Sequence, residues 1–162
     1  MATIAKRTGV TRRAFTLIEL IAVLVVLAIL SGIALPKYLD YAARARASAL
    51  QGALGGVRTG VASYYANASV SGTATYPTLA QLETLGTVMQ EAIPVNPYNG
   101  SNDVVAATQA QAAARTIIAG GAGWAYYVDN AATPPEAVFY ANTADTTTVD
   151  DPSGGYFDAN EL

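Results

Sequence analysis

Apolar residues run without a charge from Leu20 to Pro36, then settle into intervals of three and four at Leu39, Ala43, Ala47, Leu50, Leu54, Val57, Val61 and Tyr64. The first pattern is apolar on every side. From Phe15 to Leu35 it offers 21 residues, against the ~20 that a helix needs to cross a bilayer. The second pattern is one face of an amphipathic helix, with Lys37, Arg44, Arg46 and Arg58 lying off the stripe. Together they predict one long helix reaching about Tyr65, with a membrane half at 15–36 and an amphipathic half at 37–65. Pro36 removes the donor that the Gly32 carbonyl would use, so a kink or loosened turn is expected between these two residues. Gly52, Gly55, Gly56 and Gly60 each cost the second half roughly 1 kcal/mol against Ala, so its stability has to come from packing.

Residues 66–162 are patterned differently. Asn67–Thr75 reads as a polar loop, Thr78–Leu85 as one short helix after Tyr76-Pro77, and Gly86 as its stop. The stretch Ile93–Gly100 holds two prolines and an Asn-Gly step and can only turn. Residues 104–118, rich in Ala and Gln, stay open between helix and loop. Trp124–Asp129 and Ala137–Ala141 flank a turn containing Asn130, Pro134 and Pro135, and read as an aromatic β-hairpin. A lone hairpin is marginal, so it must lie across the second half of the long helix with one or two further strands. The expected fold class is α+β, a long N-terminal helix packed on a small antiparallel sheet head at 66–162, the tail being rich in Thr, Asp and Gly.

Charge adds direction. The net charge of −3 hides a basic start at Lys6, Arg7, Arg12 and Arg13, whereas from residue 66 onward Arg115 is the one base among the acids. Positive residues before an apolar run hold that end in the cytoplasm and send the chain beyond Lys37 outward. An acidic outer domain argues against nucleic acid as a partner, since phosphate binding needs clustered Lys or Arg. With 0 Cys there is no disulfide framework for an exported domain. The C-terminal end must then be held by packing, by hydrogen bonds or by a metal.

The densest chemistry lies at the mouth of the apolar run, where Arg12-Arg13-Ala14-Phe15-Thr16-Leu17-Ile18 leads to Glu19. A carboxylate in hydrocarbon costs roughly 2.5 kcal/mol or more unless it is paired. Cleavage between Ala14 and Phe15 would place a new α-amino group four residues before Glu19, the natural partner within one chain or between neighbours. These residues resemble the type IV pilin and type II secretion pseudopilin family, whose class III signal is a short basic leader followed by Phe-Thr-Leu-Ile-Glu. The resemblance extends through Ala34-Leu35-Pro36-Lys37-Tyr38-Leu39-Asp40-Tyr41 and covers about the first 65 residues closely. It implies a leader at 1–14, removed by a membrane-embedded aspartyl prepilin peptidase, and methylation of the new N-terminus at Phe15. It also implies that the Gly32–Pro36 region is where the helix loses regular structure inside a filament. Ala14 stands where the family usually carries Gly, so the cut position rests on the Phe15–Glu19 motif, and slower processing is expected.

Each site admits a competing reading. Thr11–Leu17 also resembles a twin-arginine export motif, with removal after Ala34 releasing a soluble binding domain. Against that, Glu19 is misplaced in a signal and the apolar run flows directly into the amphipathic stripe. Glu19 could alternatively snorkel to the cytoplasmic interface, which is compatible with later pairing. Asp145, Asp150, Asp151 and Asp158 with Asn160 offer oxygen atoms to calcium, as the pseudopilin branch does in its C-terminal loops, although a solvated acidic loop is the preferred reading. The aromatic cluster around Trp124 is read as core before any sugar- or surface-binding face. With no His, no Cys, no Ser beside a base and no phosphate-cradling glycine loop, no enzyme is expected and no cofactor.

The expectation is therefore a filament subunit, stored in the bacterial inner membrane with its C-terminal domain periplasmic. An inner-membrane assembly platform and its ATPase would then stack it into a homopolymer. The resemblance leaves a surface type IV pilus, favoured by Leu35-Pro36-Lys37-Tyr38, and a periplasmic pseudopilus, favoured by the absent cysteines and the Pro94–Pro97 loop.

Overall fold

The computed structural model describes residues 15–162, in two compact units that divide after Asp40. The first unit is helical. Helix α1 begins at Leu17 and continues into the second unit as far as Val70. Every large hydrophobic side chain from Leu20 to Leu35 is solvent-facing, between 46% and 62% exposed. The helix runs unbroken through Gly32 and Pro36.

The second unit carries the α+β fold. Its main sheet has the order β1-β2-β3, from strands β1 (Val104–Ala106), β2 (Trp124–Asp129) and β3 (Glu136–Ala141). The hairpin β2-β3 pairs antiparallel as its alternation foretold, with Trp124 opposite Ala141, Tyr126 opposite Phe139 and Val128 opposite Ala137. These pairs share the face that packs with Leu50, Leu54, Val57 and Val61 of α1 into one core, joined by Leu82, Ile93 and Ala159. Ala125, Tyr140, Tyr127 and Val138 point the other way and pack with Ala112 of helix α3 (Gln109–Ala114). Trp124 is fully buried and stacks on Phe139 at 5.3 Å, so the aromatic strands are core.

Residues 104–118 resolve their ambiguity by being both a strand and a helix. β1 pairs parallel to β2, which makes the sheet mixed, and α3 is the crossover that a parallel pair requires. Helix α3 starts at a reciprocal capping box, Thr108 with Gln111, and helix α2 (Leu79–Glu83) starts at a second one, Thr78 with Gln81. The Thr, Asp and Gly tail forms a separate two-stranded sheet of β4 (Thr146–Asp150) and β5 (Tyr156–Asp158), followed by a 3₁₀ turn at Ala159–Glu161.

Two boundaries of α1 move, and α2 ends at Glu83, short of the expected Leu85. Helix α1 ends at Val70, so Asn67–Val70 is helical where a loop was expected. Ser69 Oγ donates to the Tyr65 carbonyl at 2.8 Å, Gly72 N–H to Ser69 and Thr73 N–H to Ala68, with Gly72 at φ 91°. This is a Schellman ending, and the stop is a left-handed glycine two residues past the helix. The amphipathic stripe also begins later than its spacing suggests. Leu39 and Ala43 are exposed, and the buried face starts at Ala47. A three-stranded sheet of short strands covers only about four helical turns at 5.4 Å each.

Candidate assembly site

The residues predicted to carry assembly stand at the start of α1. Phe15 precedes the helix and is 83% exposed. Thr16 caps the first turn: its Oγ1 accepts the Glu19 N–H at 3.3 Å and its carbonyl accepts the Leu20 N–H at 3.2 Å. Glu19 therefore lies in the first turn, where the helix dipole favours an acid. The next base along α1 is Lys37, 18 residues on (37 minus 19), which is about 27 Å at 1.5 Å per residue. The helix offers Glu19 no cation of its own within reach. By length and composition α1 is suited to crossing a membrane, and its apolar window is unburied within the chain. Ala14 and the leader bases lie outside the described residues.

A segment with a free aromatic start, an acid in its first turn and an uncovered apolar surface matches a family model, the prokaryotic N-terminal methylation motif, over residues 10–35. The chain carries a prepilin-type methylation signal. It is also similar to the fimbrial protein EcpC of Eikenella corrodens, 42% identical over 59 residues. That match takes in 36% of this chain and spans about two fifths, 39%, of the relative's length. No solved structure matches the chain.

Behind the methylation signal, the structure shows how a chain without cysteine fastens its C-terminal segment. Arg58 donates from Nε and Nη2 to the Phe139 carbonyl at 3.1 and 3.0 Å, and from Nη1 to the Leu162 carbonyl at 2.8 Å. Arg115, held in the left-handed conformation at the end of α3, donates to the Glu161 carbonyl. Asn160 Nδ2 returns a bond to the Arg115 carbonyl at 2.8 Å, and Ala159 is fully buried with its N–H on the Asp145 carbonyl. Burial, and then the neighbouring Arg115 charge, lowers the Arg58 pKa. Hydrogen bonds hold this end. Spacing placed Arg58 off the apolar stripe; nothing in the sequence marked it as a clamp. Its position one residue after Val57, on the border of the buried face, is the signal that was available.

The acidic residues weighed for calcium are dispersed among local partners. Asp151 accepts from Ser153 N–H and Oγ at 2.8 and 2.7 Å, Asp158 Oδ1 accepts from Thr146 Oγ1 at 3.0 Å, and Asp145 accepts from Thr143. Asp150 ends β4. Among the described residues no group of three or more acidic, His or Cys side chains is gathered to hold a metal. The Pro94–Gly100 loop has a packing role: Asn96, fully buried, donates to the Gly123 carbonyl at 2.7 Å, and the Pro94 carbonyl accepts from Trp124 Nε1 at 2.8 Å.

Proposed function

We propose that this protein is a structural subunit of a type IV pilus-like filament, cut between Ala14 and Phe15, methylated at Phe15 and polymerised through α1. The carrying observation is the combination of an apolar segment, exposed from Leu20 to Leu35, with one acid, Glu19, four residues after Phe15. While the subunit waits in the inner membrane, lipid covers that surface. In a filament, helices of neighbouring copies cover it instead. The Phe15 amine of a neighbour would answer Glu19, and a misplaced copy would leave both charges unpaired. The C-terminal unit would face outward, with the prepilin peptidase and an inner-membrane platform as processing and assembly partners. The role is structural and involves no catalysis.

A second reading is the pseudopilus of a type II secretion system. The cysteine-free C-terminal fastening and the packed Pro94–Gly100 loop favour it. Mass spectrometry of the mature protein is expected to give a methylated N-terminal Phe15, whereas a start at Leu35 would indicate a soluble exported domain. Glu19→Ala is expected to abolish filaments, and wild-type assembly in that variant would refute the pairing role. Electron microscopy of sheared surface material distinguishes long surface pili from a short periplasmic pseudopilus.

A further inference from the structure

We infer that the groove beside α2 and the start of β1 seats the Tyr41–Arg44 stretch of α1 from a second copy of this chain. The inference rests on the filament reading and names one contact within it. The groove has a volume of about 320 Å³ and is lined by Glu83, Leu85, Ala92, Ile93, Asn102 and Asp103. Its own chain leaves it open: Leu85 is 64% exposed, and the Glu83 and Asp103 carboxylates are both exposed. Asp103 Oδ2 takes a local bond from Ser101 Oγ at 3.2 Å, and its other oxygen faces no protein donor among the described residues. A lining that combines the exposed Leu85 with two carboxylates suits a cation carried beside an apolar or aromatic side chain.

Such an element lies on α1. Of the five bases in the described residues, Arg58 and Arg115 donate to carbonyls of their own chain. Lys37, Arg44 and Arg46 remain, all within ten residues of α1. Arg46 acts on Tyr98 of its own chain, lowering a tyrosine pKa that burial and Asp145 raise more strongly. Arg44 is exposed, and Tyr41, three residues earlier and so on the same helix face, is 66% exposed. Tyr41 would cover the exposed Leu85, and the Arg44 guanidinium would bond a carboxylate of the groove. The two surfaces differ and are mutually complementary, so each copy offers one to the copy ahead and one to the copy behind. A contact of this heterologous type propagates into a helical filament if the rotation does not close.

Two experiments on the full-length chain in its producing cell test the contact. The chain has 0 Cys, so a Leu85→Cys, Tyr41→Cys double variant contains the only two thiols. Mild oxidation of its sheared filaments is expected to give a ladder of dimers and higher multimers that neither single variant forms. Intact filaments without a ladder overturn the contact and leave the filament reading standing. The second experiment applies if the double variant does not assemble. Arg44→Glu alone and Glu83→Arg with Asp103→Arg are each expected to cut filament yield by about tenfold, and their combination to restore it, because like charges repel and the swap re-pairs them. Failure of the combination to restore assembly overturns the contact, as does release of Arg44→Glu protein from anionic vesicles with filament yield unchanged, which assigns the stretch to lipid. A wild-type chain that never leaves the monomer state refutes the filament reading itself.

Discussion

Arg58 and Phe139 lie 81 residues apart in sequence, and two guanidinium nitrogens of the first meet the carbonyl oxygen of the second at 3.1 and 3.0 Å. The remaining Arg58 bond reaches Leu162 at 2.8 Å, so one side chain on α1 ties the last strand of the main sheet to the C-terminal segment. Hydrogen bonds with a charged donor contribute about 1.5–3 kcal/mol each net of water. Arg58→Met keeps the aliphatic stem and leaves both carbonyls without their donor. The expected result is a loss of about 2 kcal/mol, read as a fall of roughly 6–10 °C in Tm for a unit of this size. Arg58→Lys should recover only part of it, since an ammonium cannot reproduce the fork. Thermal melts of the full chain in detergent provide the measurement.

Gly123 is a second point where the fold tolerates one residue. A Cβ built there would stand 2.0 Å from the Ser101 carbonyl oxygen and 2.8 Å from its carbon, both main-chain atoms. Gly123→Ala must therefore push the Pro94–Ser101 loop off β2, breaking the Asn96 bond to the Gly123 carbonyl and the Trp124 bond to Pro94. A cost above about 3 kcal/mol is expected, because overpacking and a buried polar group left unpaired add together. Protease resistance of the purified variant should be lost at temperatures where the wild type is intact.

Tyr126 is buried with its hydroxyl on the Pro77 carbonyl at 2.8 Å, and burial raises its pKa well above the ordinary value of 10.0, with Tyr76 adding to the effect. A raised pKa in the fold means that the stability it supports is complete below the unfolded value and is lost as pH climbs beyond it. Alkaline unfolding is accordingly expected above about pH 10. Tyr126→Phe should reduce that pH dependence by its own share, leaving the part carried by Tyr98, Tyr127 and Tyr140, whose pKa values burial also raises, while costing about 1 kcal/mol at neutral pH. Ultraviolet titration of phenolate against circular dichroism checks both.

Asp151 shows the opposite sign. Its carboxylate accepts from the Ser153 N–H and hydroxyl, and those bonds hold its pKa below the ordinary 3.8. The ordering they give the β4-β5 turn is present above that value and lost as pH falls through the lowered one. Amide chemical shifts of Ser153 and Gly154 are expected to move with a midpoint below the usual carboxylate range. In Asp151→Asn no such acid transition should appear.

Gly52, Gly55 and Gly56 lie inside α1, and a Cβ at any of them would meet nothing within 4 Å beyond the helix's own adjacent backbone. Helical glycine costs about 0.5–1 kcal/mol against alanine, chiefly through chain entropy. The triple change to Ala is expected to stabilise the detergent-solubilised monomer by about 2 kcal/mol. An unchanged or lower Tm would show that these positions meet something within the chain.

Much of this was open to reading from local pattern. The existence of α1, of a short helix after Tyr76-Pro77 and of the Trp124–Ala141 hairpin follows in each case from a period, a cap or an alternation that neighbouring residues specify, although the short helix ends at Glu83, where Thr84 turns extended, and not at Gly86. The Phe15–Glu19 motif was equally legible, because a lone acid in an apolar run is conspicuous in one dimension. The helix end at Val70 was missed because Asn67 and Ser69 look like loop residues, although Gly72 supplies the terminating conformation.

The apolar entry helix, its single acid and the α+β class follow from hydrophobic period and charge, which act between residues close in the chain. Packing in three dimensions adds that β1 runs parallel to β2, that the acidic tail folds as its own hairpin, and that Arg58 and Arg115 fasten the C-terminal segment. The two arginine contacts reach carbonyls 46 to 104 positions away in the chain, and a main-chain acceptor is the same chemical group at every residue, so no side-chain pattern marks which one a guanidinium will find.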